Sequence, residues 1–188
     1  MVRNTWLSFI IGKKKSCEIN EINEEFKKFD INVMKPSWIH MTVVFMGKAL
    51  RGRTVGELKG INYIIKSAVK ELSEMKNLNL VFDRYDYLPF NSSNKKLLLA
   101  MYKKNEKLDK WVVDLKNTLT QMGVCPSENS FMLHITIGRV KGAYLPDKDY
   151  LKTVKAFPDL TVRGLYVCGD QNKYIRNSFN LSTDDSFS

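Results

Sequence analysis

Two stretches of sequence decide how this chain folds: residues 36–47 read PSWIHMTVVFMG and residues 131–140 read FMLHITIGRV. Both are short and rich in β-branched and aromatic residues, which is typical of buried β-strands. Each contains one of the two histidines of the chain, His40 and His134. The two stretches therefore predict two similar strands, each with one titratable imidazole.

Each histidine is followed two residues later by a threonine, Thr42 or Thr136. With nine threonines among 188 residues, chance would produce this spacing at both histidines with a probability of roughly 0.2%. Side chains alternate between the two faces of a strand, so the histidine and the threonine of each motif share one face. The residues expected to face the core instead are Ile39, Met41, Val43 and Phe45 in the first strand and Leu133, Ile135 and Ile137 in the second. If the strands lie side by side, two imidazoles and two hydroxyls surround one cleft.

This combination suits in-line displacement at a phosphodiester. One neutral imidazole takes a proton from the attacking oxygen, and a protonated one gives a proton to the leaving oxygen. The hydroxyls can donate hydrogen bonds to phosphate oxygens whose charge grows in the transition state. A single strand histidine is more often structural, but the doubled motif argues against that interpretation. A zinc site is a further alternative, for which two histidines without clustered Cys or carboxylate residues supply too few ligands.

The two HxT motifs, 94 residues apart, resemble those of the 2H phosphoesterase superfamily, in particular its LigT-like branch of RNA 2′,3′-cyclic phosphodiesterases, formerly called 2′-5′ RNA ligases. One departure is Leu133, where many members have proline. The resemblance implies one two-lobed α+β domain over residues 1–188, with antiparallel sheets facing a central cleft and helices on the outside. It implies no cofactor and no metal. By residue-wise transfer, the implied catalytic residues are His40, Thr42, His134 and Thr136.

The rest of the chain alternates between strand-like and helical patterns. Apolar or β-branched runs predict further strands over 6–11, 78–82, 96–102 and 160–168, with the second and third of these in one sheet. Apolar residues at helical spacing predict helices from Ile19 with Ser16 as N-cap, from a capping box at Thr54 to about Lys76, and from Leu108 to Met122 with Gly123 after it. The tail over 182–188 is expected to be frayed.

Composition narrows the class of partner and the compartment. A net charge of +10 favours anionic partners, and no apolar run is long enough for a membrane span. Three distant cysteines suggest neither a disulfide framework nor a zinc knuckle, so we expect the reducing cytoplasm. We also expect a monomer, since no protein partner is implied. Lys outnumbers Arg 23 to 7, a bias common in AT-rich genomes including those of large DNA viruses. For a viral protein the compartment would be the host cytoplasm.

Residues near the two motifs are candidates for substrate binding. Arg139 would face away from Thr136 on a regular strand, unless a bulge at Gly138 turns it to contact phosphate. Lys48 is a second basic candidate, just beyond the first strand. Nucleotide substrates also favour an aromatic platform for a base. The candidates for that platform are Trp6, Trp38, Phe131 and Tyr166.

The predicted activity is metal-independent hydrolysis of a phosphodiester at a ribose 2′ oxygen. Three substrates remain open: RNA 2′,3′-cyclic phosphate ends, linear 2′,5′-oligoadenylates, and cyclic dinucleotides with a 2′,5′ link such as 2′,3′-cyclic GMP-AMP. Either of the last two would make the protein an antagonist of innate immune signalling, an immune-evasion role. The alternative is a module that binds an RNA end or a nucleotide without turnover. Binding alone does not require two titratable groups with opposite proton roles.

Overall fold

The structure is a computed structural model that describes residues 4–10, 15–75, 78–90, 95–124, 126, 131–162, 164–169 and 177–180. No helix within these ranges is long and apolar enough to cross a membrane. A short 3₁₀ helix, Pro36–Trp38, precedes the third strand. The described strands and helices, in chain order, are β1 Thr5–Ile10, α1 Ser16–Lys27, β2 Ile31–Val33, β3 His40–Gly47, α2 Val55–Glu74, β4 Asn79–Leu80, β5 Phe82–Phe90, β6 Lys95–Tyr102, α3 Glu106–Gln121, β7 His134–Val140, α4 Lys148–Thr153, β8 Leu160–Thr161, β9 Gly164–Gly169 and β10 Asn177–Asn180.

The strands form two four-stranded sheets and one small pair. Sheet A has the order β10-β9-β1-β3, and sheet B has the order β2-β7-β6-β5. β4 and β8 pair separately. All pairings between the described strands are antiparallel. The predicted α+β fold with antiparallel sheets is confirmed.

One face of sheet A is covered by α2 and α3. Phe9 of β1 stacks on Trp111 of α3, with ring centroids 6.3 Å apart. The indole N–H of Trp111 donates to the carbonyl of Ala68 in α2, which ties the two helices together. Leu7 and Met41, which share this face with Phe9, are fully buried. The opposite face of sheet A carries His40 and Thr42.

One face of sheet B is covered by α1 and α4. Phe26 of α1 meets Tyr85 of β5 edge to face, with ring centroids 5.2 Å apart. The side chains of Ile19 and Ile22 are also buried in this layer, and α4 packs along β5. The opposite face of sheet B carries His134 and Thr136, so both HxT motifs lie on faces turned away from the helices that cover their own sheets.

The chain passes repeatedly between the two sheets. β1 belongs to sheet A, β2 to sheet B and β3 to sheet A again; β5, β6 and β7 then build sheet B before β9 and β10 complete sheet A. The sheets touch where β3, an edge strand of sheet A, lies against β7, an inner strand of sheet B. The two histidine-bearing strands are therefore neighbours that belong to different sheets.

The helix predictions hold for α2 and α3 and fail at the start of α1. Thr54 and Glu57 exchange both bonds of a capping box at the start of α2. Gly123 follows α3 with φ +71°, the left-handed geometry that favours glycine after a helix. Ser16 is not an N-cap, because the N-cap of α1 is Lys15, which makes no side-chain capping bond.

The strand predicted over 78–82 is wrong in extent and in partner. The long strand here is β5, Phe82–Phe90, which pairs with β6 as a hairpin. β4 is only two residues long and pairs with β8 in the small sheet. The sequence prediction ended this strand at Phe82 and assigned Pro89 to the turn before the strand over 96–102. Pro89 is tolerated since β5 is an edge strand, where one missing N–H breaks no ladder bond on the open side.

The strand predicted over 160–168 is two strands, β8 and β9, that lie in different sheets. β2, β10 and α4 were not predicted, because the strands are three and four residues long and the helix six. α4 nevertheless has an N-cap signal in the sequence, since the Asp147 carboxylate accepts from the Tyr150 N–H. The tail over 182–188 lies outside the described residues.

Candidate active site

Both HxT strands contain a β-bulge immediately after the threonine. Ser8 lies opposite Thr42 and Leu7 opposite Val44, so Val43 is an extra residue in β3. In the same way, Leu99 lies opposite Thr136 and Leu98 opposite Gly138, so the residue after Thr136 is extra in β7. A bulge reverses the alternation of side chains beyond it. The fifth residue after each histidine therefore returns to the face of the histidine.

In β3 that fifth residue is Phe45. The prediction that Phe45 faces the core is wrong, because the bulge at Val43 turns it outward and leaves it 40% exposed. Phe45 lies opposite Trp6, so both rings share the face of His40 and Thr42. Sequence reasoning missed Phe45 since it assumed regular alternation along the strand.

In β7 the fifth residue is Arg139. The bulge returns Arg139 to the face of His134 and Thr136, where its side chain is exposed. Gly138 is needed at the bulge because β2 passes close to it. A Cβ on Gly138 would lie 2.7 Å from Cγ2 of Ile31 and 2.9 Å from the carbonyl oxygen of Asn32. The condition under which Arg139 was expected to contact phosphate, a bulge at this position, is thus present.

The two imidazoles have the same local hydrogen bond. Nδ1 of His40 donates to the carbonyl of Trp38 over 2.8 Å, and Nδ1 of His134 donates to the carbonyl of Met132 over 2.9 Å. A carbonyl oxygen only accepts, so Nδ1 carries the proton in each neutral ring. Nε2 is then the nitrogen that can take up a proton or, once protonated, release it.

Burial lowers the pKa of both imidazoles below the ordinary value of 6.5. The carbonyls of Trp38 and Met132 oppose this change, because each stabilises a charged ring through Nδ1–H. The positive charge of His134 lowers the pKa of His40 further. The two rings are thus near enough for one charge to disfavour the other, and in the unliganded protein both are mainly neutral at pH 7.

Two of the aromatic candidates have other contacts. Trp38 lies in the 3₁₀ helix before β3, and its ring faces Nζ of Lys35 at 5.4 Å from the centroid. The contact of Trp38 with His40 is made by its backbone carbonyl, which accepts the hydrogen bond from Nδ1. Phe131 lies just before β7 and packs, half-buried, against the hydrophobic core.

The remaining candidates lie at different distances from the histidines. Trp6 stacks on His40, with ring centroids 5.7 Å apart and planes at 25°. Tyr166 lies opposite Ser8 in β9, half-buried on the same face of sheet A, and burial raises the pKa of its hydroxyl. Lys48 is exposed in the turn after β3, beyond Gly47, which pairs with Thr5 and so lies about 17 Å along the strand direction from His40.

Metal ligands and thiols are the other chemical groups of interest. No group of three or more His, Cys, Asp or Glu side chains that could hold a metal ion occurs in the described residues. Cys17 and Cys168 are free thiols, and Cys125 lies outside the described residues. A cavity of about 510 Å³ lies between β5 and α4, and its lining includes neither histidine.

Comparison with known proteins gives matches in structure rather than in sequence. No family model matches the sequence, and no curated protein sequence matches it. TT0787 of Thermus thermophilus is 14% identical, with 95% of this chain and 97% of that chain covered and a TM-score of 0.66. E. coli LigT complexed with 3′-AMP is 13% identical, with 97% of each chain covered and a TM-score of 0.59. The MHV ns2 PDE domain is 11% identical, with 89% of this chain and 99% of that chain covered and a TM-score of 0.58.

These matches extend over nearly the whole length of both partners, and another of them is a structure described as a phosphoesterase. At 11–14% identity they establish the fold of the chain and leave its activity and its site residues to be argued from geometry. The chain has the fold of LigT and of these phosphoesterase structures, as the resemblance of its two HxT strands to the 2H phosphoesterase superfamily implied.

Proposed function

We propose that this protein is a metal-independent phosphodiesterase that cleaves nucleotide phosphodiesters at a ribose 2′ oxygen. The observation that carries the proposal is the matched construction of two half-sites, the HxT motif of β3 (His40 and Thr42) and the HxT motif of β7 (His134 and Thr136). In each, Nδ1–H is held by the carbonyl two residues earlier, which leaves Nε2 of His40 and of His134 available for proton transfer. The contact between the two strands and the effect of the His134 charge on the pKa of His40 support adjoining motifs.

In the proposed reaction, Nε2 of one neutral imidazole accepts a proton from the attacking water as its oxygen bonds to phosphorus. The bond from phosphorus to the leaving oxygen breaks, and that oxygen takes the proton carried by Nε2 of the other, protonated imidazole. Thr42 and Thr136 donate hydrogen bonds to the non-bridging oxygens, whose negative charge increases in the transition state. The two imidazoles end with their protonation states exchanged.

The lowered pKa of both histidines fits this scheme when the substrate charge is included. Without substrate, both rings are mainly neutral, so a general base is present but the protonated imidazole that acts as general acid is not. A phosphodiester anion placed between His40 and His134 favours a positive charge on one of them, because opposite charges at close range stabilise each other. The substrate itself would then recruit the proton that its leaving oxygen needs.

The site offers different groups to the two ends of a nucleotide. Phe45 is an exposed flat ring on the same face of sheet A as His40, suited to stacking on a base. Arg139 is an exposed cation on the face of His134, suited to a phosphate. Solved structures of LigT hold 3′-AMP, ATP and NADP⁺, which makes a nucleotide a reasonable ligand for the same fold.

The decisive experiment is turnover of a panel in the presence of EDTA: an RNA with a 2′,3′-cyclic phosphate end, 2′,5′-triadenylate, and 2′,3′-cyclic GMP-AMP. A 3′,5′-linked triadenylate is the matched control for linkage, and His134→Ala is the control for contaminating activity. Turnover of at least one 2′-linked substrate, absent in the variant, supports the proposal. Binding without product would favour the binding module, and rescue of an EDTA-treated sample by a divalent metal would reject the two-histidine mechanism.

The panel also assigns the biological role. Preference for 2′,5′-triadenylate or 2′,3′-cyclic GMP-AMP would make the protein an enzyme that destroys second messengers of innate immunity. Preference for the cyclic phosphate end would make it an RNA-processing enzyme. We further propose that it acts in the cytoplasm as a monomer.

A further inference from the structure

The stacking of Trp6 on His40 requires an unusual reach along the strand. In the pairing of β1 with β3, Trp6 lies opposite Phe45, whereas His40 lies opposite Ile10. Trp6 and Ile10 are four residues apart, about 13 Å along the strand. Since the ring centroids are nevertheless only 5.7 Å apart, the two side chains lean toward each other across the position of Ser8. Ser8 is accordingly fully buried.

The indole of Trp6 keeps its contact with His40 although its own N–H is buried without a partner among the described residues. Its Nε1 atom is buried and has no acceptor within the part of the chain that the structure describes. An indole that served mainly as an open platform for a base would keep its N–H in water or bonded, because an unpaired buried donor costs about 1–3 kcal/mol. The ring stays in a position that leaves this donor unpaired and places one face on His40.

The surroundings of His134 differ in this respect. Its imidazole is held by the carbonyl of Met132, as His40 is held by Trp38, but no aromatic ring stacks on it among the described residues. The Nδ1 bond fixes one edge of each ring, while His40 also has a ring against its face. The two imidazoles therefore share one restraint and differ in the second.

We propose that Trp6 is a positioning residue for His40: the indole fixes the plane of the imidazole and shields its face from water, which gives the two catalytic imidazoles unequal surroundings. Its kinetic consequence rests on the proposed function, whereas its structural consequence does not. Among the described residues, the charged or titratable side chains that share the faces nearest His40 are His134 and Arg139 from β7 and Tyr166 and Cys168 from β9.

The test uses the fact that the chain has two histidines only, so that NMR gives one Cε1–H signal for each. Trp6→Leu keeps an apolar side chain and removes the flat ring; Trp6→Phe keeps a flat ring. Trp38→Ala is the matched control for the signals, because it removes an indole close in sequence to His40 whose ring faces Lys35 instead. Titrations from pH 4 to 9 of wild type and variants then report each imidazole separately.

In Trp6→Leu we expect the His40 signal to lose the ring-current shift of the indole and its pKa to rise toward the ordinary value, because water reaches the ring. The His134 signal should move much less, through its coupling to the charge of His40 alone. Trp6→Phe and Trp38→Ala should leave the pKa of His40 close to that of wild type. Equal movement of both signals, or movement of neither, in a folded Trp6→Leu protein overturns the proposal.

Kinetics with the best substrate of the panel distinguish positioning from binding. A misplaced imidazole lowers kcat, and we expect a loss of about 10- to 100-fold in Trp6→Leu with KM changed by less than about twofold, largely restored in Trp6→Phe. A rise in KM with unchanged kcat would instead identify Trp6 as a base platform. If no substrate is turned over, the proposed function fails while the NMR titrations still decide the role of Trp6. Should Trp6→Leu not fold, Trp6→Met replaces it, with the same movement of the His40 signal expected.

Discussion

The β3 half-site and the β7 half-site have the same backbone features as far as the bulge and different side chains after it. Each has the same HxT spacing, the same Nδ1 bond to the carbonyl two residues earlier, and a bulge directly after the threonine. After the bulge, β3 presents Phe45 and β7 presents Arg139. In the proposed function, the shared part transfers protons and the part that differs recognises the ligand.

The surroundings of the two strands account for another difference. β3 is an edge strand of sheet A, and it has Val44 just after its bulge. β7 is flanked by β2, which approaches so closely that only glycine fits at the corresponding position, Gly138. The same backbone device therefore tolerates a side chain in one sheet and excludes it in the other.

Removal of either imidazole should have the largest effect and should test the equivalence of the half-sites. We expect His40→Ala and His134→Ala each to lower kcat/KM by about 10²- to 10⁴-fold, with the double variant little worse than the worse single one, because the two act as a unit. Steady-state kinetics on the best substrate, with circular dichroism to verify folding, measure this. A folded His134→Ala protein with near wild-type turnover would defeat the proposed mechanism.

Removal of either hydroxyl should cost less. Thr42→Ala and Thr136→Ala each delete one hydrogen bond to the developing charge on phosphate, and we expect losses of about 10- to 10³-fold in kcat. Thr→Ser at the same positions keeps the hydroxyl and serves as the matched control. Equal losses in the Ser and Ala variants would show that the methyl group, and hence packing, is what matters.

Substitution of the residue that follows each bulge should show how packing differs between the edge strand β3 and the inner strand β7. Gly138→Ala forces a Cβ to within 2.7 Å of Ile31 and should lower the free energy of unfolding by about 1–3 kcal/mol. Urea denaturation measures the change. Val44→Ala, a matched variant at the equivalent position in β3, should also destabilise, but through lost burial. If Gly138→Ala is as stable as wild type, β2 does not constrain the bulge as described.

Truncation of the two fifth residues should show that the half-sites recognise different parts of a ligand. Phe45→Ala and Arg139→Ala should each raise KM by about tenfold, through a lost stack and a lost phosphate contact respectively. The salt dependence of ligand binding distinguishes the two variants. Raising the ionic strength should weaken binding less in Arg139→Ala than in wild type, because a charged contact has been removed, and should weaken it equally in Phe45→Ala and wild type. Identical salt dependence in all three proteins would exclude phosphate contact by Arg139.

The pH dependence should give the smallest effect. Because both imidazoles have a lowered pKa, the flanks of the kcat/KM profile should lie at lower pH than two exposed histidines would give. The unfolded chain binds more protons than the folded one as pH falls through 6.5, so stability should decrease there. Calorimetry in two buffers of different ionisation enthalpy should detect proton uptake when substrate binds; its absence would contradict substrate-driven protonation.

The sequence predicted the parts of the fold that depend on local signals. The α2 capping box, Gly123 after α3 and the two HxT strands all follow from short-range chemistry, and the structure contains each. The sheet to which a strand belongs does not follow from such signals. β4 and β8 are two residues long and pair with each other outside the two main sheets. This pairing joins segments that are distant in sequence, so no local signal predicts it.

The same limit applies to the candidate site. Alternation placed His40 and Thr42 on one face correctly as far as the bulge and then put Phe45 on the wrong face. A bulge depends on which strand pairs alongside, and the partners of β3 and β7 are distant in sequence. The stack of Trp6 on His40 was likewise invisible, since it joins two strands through side chains that lean along the sheet.

The interleaving of the two sheets has a consequence for how the chain is made. β1 lies between β3 and β9, so one of its two neighbours is residues 164–169, among the last described residues to be synthesised. At ribosomal speeds, β1 waits on the order of ten seconds for that neighbour. During this interval its open side can pair with any other strand. A chain stopped before residue 164 would hold both HxT motifs and would still present an unpaired edge of β1 to other strands, because the last neighbour of the first strand comes from the far end of the described chain.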